Sequence, residues 1–177
     1  MLSDPYFPVQ LFNFCPACGQ PLVAAKPGKS IHCRACDFLL YFNSSTAVAA
    51  IIVNTHNEVL FTMRRSDPAK GLLDLPGGFV DPGETAEEAL VREIREELNL
   101  ELSSFRFLKS FANTYYYHSV LYHTTDLVFV CQVIDFDPLQ AGDDVSGFVF
   151  RDPRQILPSQ IGLTSIKAAL EYYLLLT

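Results

Sequence analysis

Glu93, Glu96 and Glu97 crowd together in the segment GFVDPGETAEEALVREIREELNL, residues 78–100. On a helix, Glu93 and Glu97 stack one turn apart, a like-charge pair that weakens the helix unless something positive stands between them. A divalent cation with a preference for oxygen ligands is the simplest such group. A second set of residues is equally suited to metal: Cys15-Pro-Ala-Cys18 and Cys33-Arg-Ala-Cys36. Two CxxC pairs at this separation read as a tetrahedral zinc site with Cys15, Cys18, Cys33 and Cys36 as ligands. Gly19 suits the tight turn after the first pair. The alternatives are disulfides or a redox pair. Cytosolic residence disfavours disulfides, and a thioredoxin-type CxxC needs a βαβ context that is missing here. With four thiolates the shell is closed, so this zinc is structural.

The carboxylates need a helix to hold them. Thr85 followed by Glu88 forms a capping box that fixes its start, and Asn99 is a residue that tolerates the left-handed conformation of a helix stop. At about 100° per residue with Leu90 at zero, Ala86 and Ile94 flank a core arc at about ∓40°, and Glu88, Arg92 and Arg95 face solvent. Glu93 falls at about −60° and Glu96 at about −120°, whereas Glu97 falls at about −20°, inside the apolar arc. A salt-bridged surface helix, with Glu88–Arg92 as an i,i+4 pair, accounts for the solvent side. It does not account for Glu97, because a carboxylate on the core face must be paired or bound to metal.

Elsewhere the sequence predicts mostly strands. Ala47–Val53 and Val59–Met63 flank the turn Asn54–Glu58 and read as a hairpin. Leu72–Leu75 runs into Pro76-Gly77-Gly78, and alternation returns in Phe105–Phe111, Tyr115–Tyr122 and Leu127–Val133. Asp152-Pro153 starts a short helical turn. The tail from Thr164 repeats apolar residues at Ile166, Ala169, Leu170, Tyr173 and Leu174, a helix with one buried face. The chain of 177 residues is 49% hydrophobic and 19% charged, a globular composition. No apolar run approaches the ~20 residues of a membrane span, and MLSDPYFPVQ lacks the pattern of a signal peptide, so cytoplasmic residence without membrane contact is expected. The net charge of −7 argues against a general nucleic-acid binder. A polyanionic substrate then needs local cations, and Arg64, Arg65 and Lys70 stand just before the carboxylate segment.

Gly78, Glu84 and Arg92-Glu93-Ile94-Arg95-Glu96-Glu97-Leu98-Asn99-Leu100 together resemble the Nudix box of the Nudix hydrolases; Asn99 stands where that family usually has glycine. The resemblance implies an α/β fold, a Nudix-type α/β/α sandwich with a mixed sheet, over residues 45–177. A small zinc ribbon, residues 1–44, precedes it. It implies that Glu93, Glu96 and Glu97, with the Gly78 carbonyl, bind Mg²⁺ or Mn²⁺. One glutamate would also serve the attacking water, with Glu93 the choice as shared ligand and base and Glu97 as ligand, and a Glu84–Arg92 ion pair would lock loop to helix. The implied reaction is hydrolysis of a diphosphate, the metal neutralising charge and acidifying water for in-line attack at phosphorus. Asp143-Asp144 are candidates for a further acid, Asp144 foremost.

A ribbon ahead of such a domain resembles the NADH pyrophosphatases, but their Pro/Trp-rich stretch after the box is absent from Ser110–Ser119. The expected substrate is therefore a nucleoside diphosphate linked to another moiety: NADH, ADP-ribose, FAD or a similar small molecule. Tyr115, in the run Tyr115–Tyr117, could stack on a base. Two other readings stay open. One is an RNA 5′-end pyrophosphohydrolase that grips nucleic acid through the ribbon, which the low basicity disfavours. The other is a non-catalytic nucleotide-binding sensor, which an intact acidic box disfavours. The ribbon could also serve as scaffold or as the contact of a homodimer.

Overall fold

The computed structural model describes residues 8–22, 29–142 and 145–177, with the side chain of Tyr115 outside the description. They group into two compact units, one comprising the chain up to Ser44 with Thr114–His123, the other Ser45–Asn113 with Thr124–Thr177.

In the first unit, α1 (Pro8–Leu11) is followed by β1 (Ser30–His32) and β2 (Leu39–Tyr41), which pair antiparallel with Ile31 opposite Leu40. Val9 and Ile31 form a small core with Phe12, Leu22, Phe38, Leu40 and Phe42 around them. Two knuckles repeat one geometry: Gly19 N–H donates to Cys15 O at 2.9 Å, and Asp37 N–H donates to Cys33 O at 2.8 Å. Both donors are left-handed, with φ of 72° at Gly19 and 63° at Asp37. Glycine adopts this conformation freely and Asp with modest strain. The sequence pointed to the turn at Gly19 but gave no glycine to mark its twin.

The second unit begins with β3 (Ser45–Ile52), β4 (Val59–Arg64) and β5 (Leu73–Asp74). Then follow α2 (Ala86–Leu98), β6 (Leu102–Tyr117) and β7 (Val120–Val133), whose Thr114–His123 end is grouped with the first unit, then β8 (Val145–Arg151) and α3 (Thr164–Leu174). One sheet has the order β3-β7-β6, the other β5-β4-β8. β3 runs parallel to β7, Ala47 opposite Asp126 and Ile51 opposite Val130, whereas β4 pairs antiparallel with β5 and β8. Strand residues alternate between faces, and the two faces of β3 feed two cores. Val48, Ala50 and Ile52 pack with Leu90, Ile94 and Leu98 of α2. Ala49 and Ile51 pack with Ile166, Ala169 and Leu170 of α3. The result is an α/β/α sandwich containing a mixed sheet.

Two expectations are corrected. The segments Ala47–Val53 and Val59–Met63 do not form a continuous hairpin; they meet only at the Val53–Val59 bridge, after which β4 enters the other sheet. The turn between them is as expected, with Asn54 Oδ1 accepting from the N–H groups of His56 and Glu58 at 2.9 and 3.0 Å. The three later strands are two long ones, because the reversal falls at His118–Ser119. Both residues have positive φ, 45° and 63°, although neither is glycine. With no Gly or Pro between Leu102 and Tyr117, nothing interrupts β6 earlier. Asp152 caps the 3₁₀ turn Pro153–Gln155 by accepting from Arg154 N–H, as its sequence indicates.

Candidate functional site

α2 starts where the capping box places it: Glu88 N–H donates to Thr85 Oγ1 at 3.2 Å, and Thr85 N–H donates to the Glu88 carboxylate at 2.8 Å. It ends at Asn99, φ 54° and ψ 33°, a left-handed stop. Ala89, Leu90, Ile94 and Leu98 are buried, which turns Glu93 and Glu97 toward the segment Pro76–Val80. That segment lies against β3. Ala50 N–H donates to Pro76 O at 2.9 Å, Val48 N–H to Gly78 O at 2.8 Å, and Val80 N–H to Thr46 O at 3.0 Å.

One glycine lets a carboxylate approach this backbone, and its neighbour lets the backbone approach β3. A Cβ on Gly78 would stand 2.4 Å from Oε1 of Glu93. A Cβ on Gly77, φ 144°, would stand 2.1 Å from Val48 O. Gly77 N–H donates to Oε2 of Glu97 at 2.9 Å. In extended chain a residue's N–H and C=O point to the same side and alternate from one residue to the next. The carbonyls of Pro76 and Gly78 face β3, and the N–H of Gly77 faces Glu97. The sequence reading took Gly78 O as the backbone oxygen of the site. That oxygen accepts from Val48 N–H at 2.8 Å, and it is the N–H of Gly77 that meets Glu97.

Arg92, on the solvent side of α2 by angle, folds back over the loop and makes the expected pair with Glu84. Its Nε and Nη2 each donate to Glu84 at 2.9 Å, and Nη2 also donates to Phe79 O at 3.0 Å. Its Nη1 donates to Glu93 at 2.8 Å and to Glu96 at 3.1 Å. One guanidinium thus sits between two of the three carboxylates and relieves part of their repulsion. The hydrogen bonds from Arg92 hold the Glu84 carboxyl below its usual range, against the opposing effect of burial, and raise Arg92 itself. The surface pair Glu88–Arg92 does not form, because Glu88 is taken by Thr85. Side-chain exposure separates the acids, 15% for Glu93 against 60% for Glu96.

The side-chain donor set is all hard oxygen, three carboxylates on one helix, which fits Mg²⁺ or Mn²⁺. Among the described residues only Cys15, Cys18, Cys33 and Cys36 already have ligand atoms within 4.8 Å of one another. Cys15 and Cys36 sulfurs stand 3.7 Å apart, as do those of Cys18 and Cys33. For Zn–S bonds of about 2.3 Å a tetrahedron has edges of about 3.7 Å, so the cluster has the dimensions of a zinc site. Burial pushes the Cys15 thiol up, but the N–H groups of Cys18 and Ala17 more than offset this, and its pKa is lowered to about 7. Cys131 stands apart, buried in β7 and pushed up to about 12 by that burial.

The other candidates divide. Arg64 is engaged within the protein: Nη1 pairs with Asp74 at 2.5 Å and Nε donates to Pro68 O at 2.6 Å. Asp74 is buried, which raises its carboxyl, while Arg64 draws it back down. Arg65 and Lys70 are exposed on the loop beyond β4. Asp143, Asp144 and the Tyr115 side chain lie outside the described residues.

A mixed α/β sandwich that sets a carboxylate helix against a glycine-containing loop is the class of protein defined here, and comparison places it further. The NUDIX domain model matches residues 44–170, and the chain belongs to the Nudix family. It is 39% identical over 117 residues to an ADP-ribose pyrophosphatase of Methanocaldococcus jannaschii, covering 65% of this chain and 66% of that one. It is 32% identical over 98 residues to an NAD-capped RNA hydrolase NudC of Pseudomonas putida, covering 55% of this chain but 35% of that protein. The chain thus spans about a third of the length of the NudC relatives. A NUDIX hydrolase from Nitrosomonas europaea shares the fold with a TM-score of 0.68 at 23% identity, over 92% of this chain and 90% of its own. The NUDIX domain of Shewanella oneidensis NrtR, crystallised with ADP ribose, aligns with a TM-score of 0.61 at 19% identity, over 77% and 91%. No helix among the described residues is long and apolar enough to cross a membrane.

Proposed function

We propose that this chain hydrolyses the diphosphate of a nucleoside diphosphate linked to another moiety, with ADP-ribose the first substrate to test. The observation that carries the reading is the contact of two carboxylates with this loop: Gly77 N–H donates to Glu97 at 2.9 Å, and Glu93 packs so close to Gly78 that a Cβ there would block it. Glu93, Glu96 and Glu97 would hold Mg²⁺ or Mn²⁺. Bound there, the cation supplies charge neutralisation for the diphosphate and Lewis acidity toward water. Gly77 N–H orients Glu97, leaving this carboxylate the choice for receiving the water's proton. Arg92 keeps Glu93 in place and, through Glu84 and Phe79 O, fastens the loop to the helix. Residues 45–177 form the hydrolase domain in this reading, and residues 1–44 a ribbon closed by structural zinc.

The relative named ADP-ribose pyrophosphatase supports the small-molecule reading. A second reading, the same diphosphate within an NAD-capped RNA end, is supported by relatives named for that activity. A panel with Mg²⁺ or Mn²⁺ over ADP-ribose, NADH, FAD, nucleoside triphosphates and NAD-capped RNA, read by chromatography of the monophosphate products, separates the two. The reading expects ADP-ribose or a related dinucleotide to be turned over, and Glu97→Gln to lower that turnover at least ~100-fold with the fold intact. A Glu97→Gln protein as fast as wild type would overturn the assignment.

A further inference from the structure

We infer that residues Pro138–Gly142 act as a positioning strap on the carboxylate end of α2, fastened by Asn99 and Gly142, and that this strap sets the affinity for the divalent cation. The inference rests on the reading that Glu93, Glu96 and Glu97 hold the metal. A helix leaves its last four carbonyls without partners in the helix, and two of them here are taken by the strap. Gly142 N–H donates to Glu97 O at 2.7 Å, and Gln140 N–H donates to Leu98 O at 3.0 Å. Asn99 Nδ2 donates to Pro138 O at 3.1 Å, fastening the other end.

The requirement for glycine at 142 is spatial. A Cβ there would lie 2.1 Å from Glu96 O, 3.1 Å from its carbonyl carbon and 3.3 Å from the Cα of Glu97. The strap therefore touches the backbone of the two residues whose carboxylates end the cluster. Both belong to the last turn of α2, the part of a helix that frays. A metal site requires its ligands within about 0.5 Å of the productive geometry. Asn99 acquires a purpose in the same stroke. Glycine would accept its left-handed φ of 54° but has no side chain with which to hold Pro138. This position departs from the family pattern and gains a tether by doing so.

The test is a titration of the full-length protein with Mn²⁺, following the paramagnetic resonance signal of the free ion without substrate. Asn99→Gly keeps the backbone conformation and removes the tether; Gly142→Ala forces the strap off Glu96 O. Outer partners of metal ligands are worth about 10–100-fold in affinity. Gly142→Ala and Asn99→Gly should each weaken Mn²⁺ binding about 10-fold or more, with zinc content unchanged. Should Gly142→Ala fail to fold, Asn99→Gly decides the matter alone, since its backbone suits glycine. Wild-type Mn²⁺ affinity in a folded Asn99→Gly protein would overturn the strap while leaving the metal site standing. Absence of Mn²⁺ binding by the wild-type protein would overturn both.

Discussion

Arg92 connects more of the site than any single acid does. Its guanidinium meets Glu84, Glu93, Glu96 and the Phe79 carbonyl, so the loop before α2 and the acids on α2 share one cation. Glu84 is the member whose titration reports this arrangement. Its carboxyl is held low, so its stabilising contribution is present above the unfolded carboxylate value of about 4.3 and is lost as pH falls through the lower folded value. Urea midpoints of wild type and Glu84→Gln should differ at pH 7 and converge as pH drops below about 4. A difference that persists unchanged at pH 3 would show that Glu84 acts by shape alone. At this scale the sequence was readable where spacing determines neighbours and unreadable where a long side chain chooses direction. The pair Glu84–Arg92 followed from the box, whereas the reach of Arg92 to Glu93 and Glu96 depends on rotamers that angular position on a helix does not specify.

α2 and the segment Pro76–Val80 work as a matched pair of elements. The capping box and the left-handed Asn99 were legible because both are local devices, made from residues within a turn of one another. The register of Pro76–Val80 against β3 was not legible, since it joins positions distant in sequence, and with it went the choice between Gly77 and Gly78. Gly77→Ala tests this element contact. Its Cβ would collide with Val48 O, and φ 144° suits glycine alone. Backbone strain and displacement of the segment should cost at least ~2 kcal/mol, lowering the melting temperature by about 4–8 °C. Melting within a degree of wild type would show that the segment has room to move. The same reasoning accounts for the strand errors: reversal at His118–Ser119 uses residues that adopt positive φ under tertiary pressure, and no local signal announces them.

For the molecule as a whole, the two CxxC pairs were legible because metal ligation imposes a spacing that survives any surrounding fold. About one zinc per chain is expected, with Cys15, Cys18, Cys33 and Cys36 reacting with a thiol reagent only after chelation. Cys131 should stay unreactive in the folded protein, being 2% exposed. Full reactivity of the ribbon thiols without chelator would contradict bound zinc. The parallel pairing of β3 with β7 bears on how the site comes into being. α2 can begin from its own capping box, an event confined to neighbouring residues. Gly77 meets Glu97 only once Pro76–Val80 has found β3, and β3 in turn is locked by a strand some eighty residues farther along. Closing such distant contacts is the slow part of folding. Helix signal should therefore return early during refolding and Mn²⁺ binding late, which makes the cation a reporter of the finished topology rather than of the helix that carries its ligands.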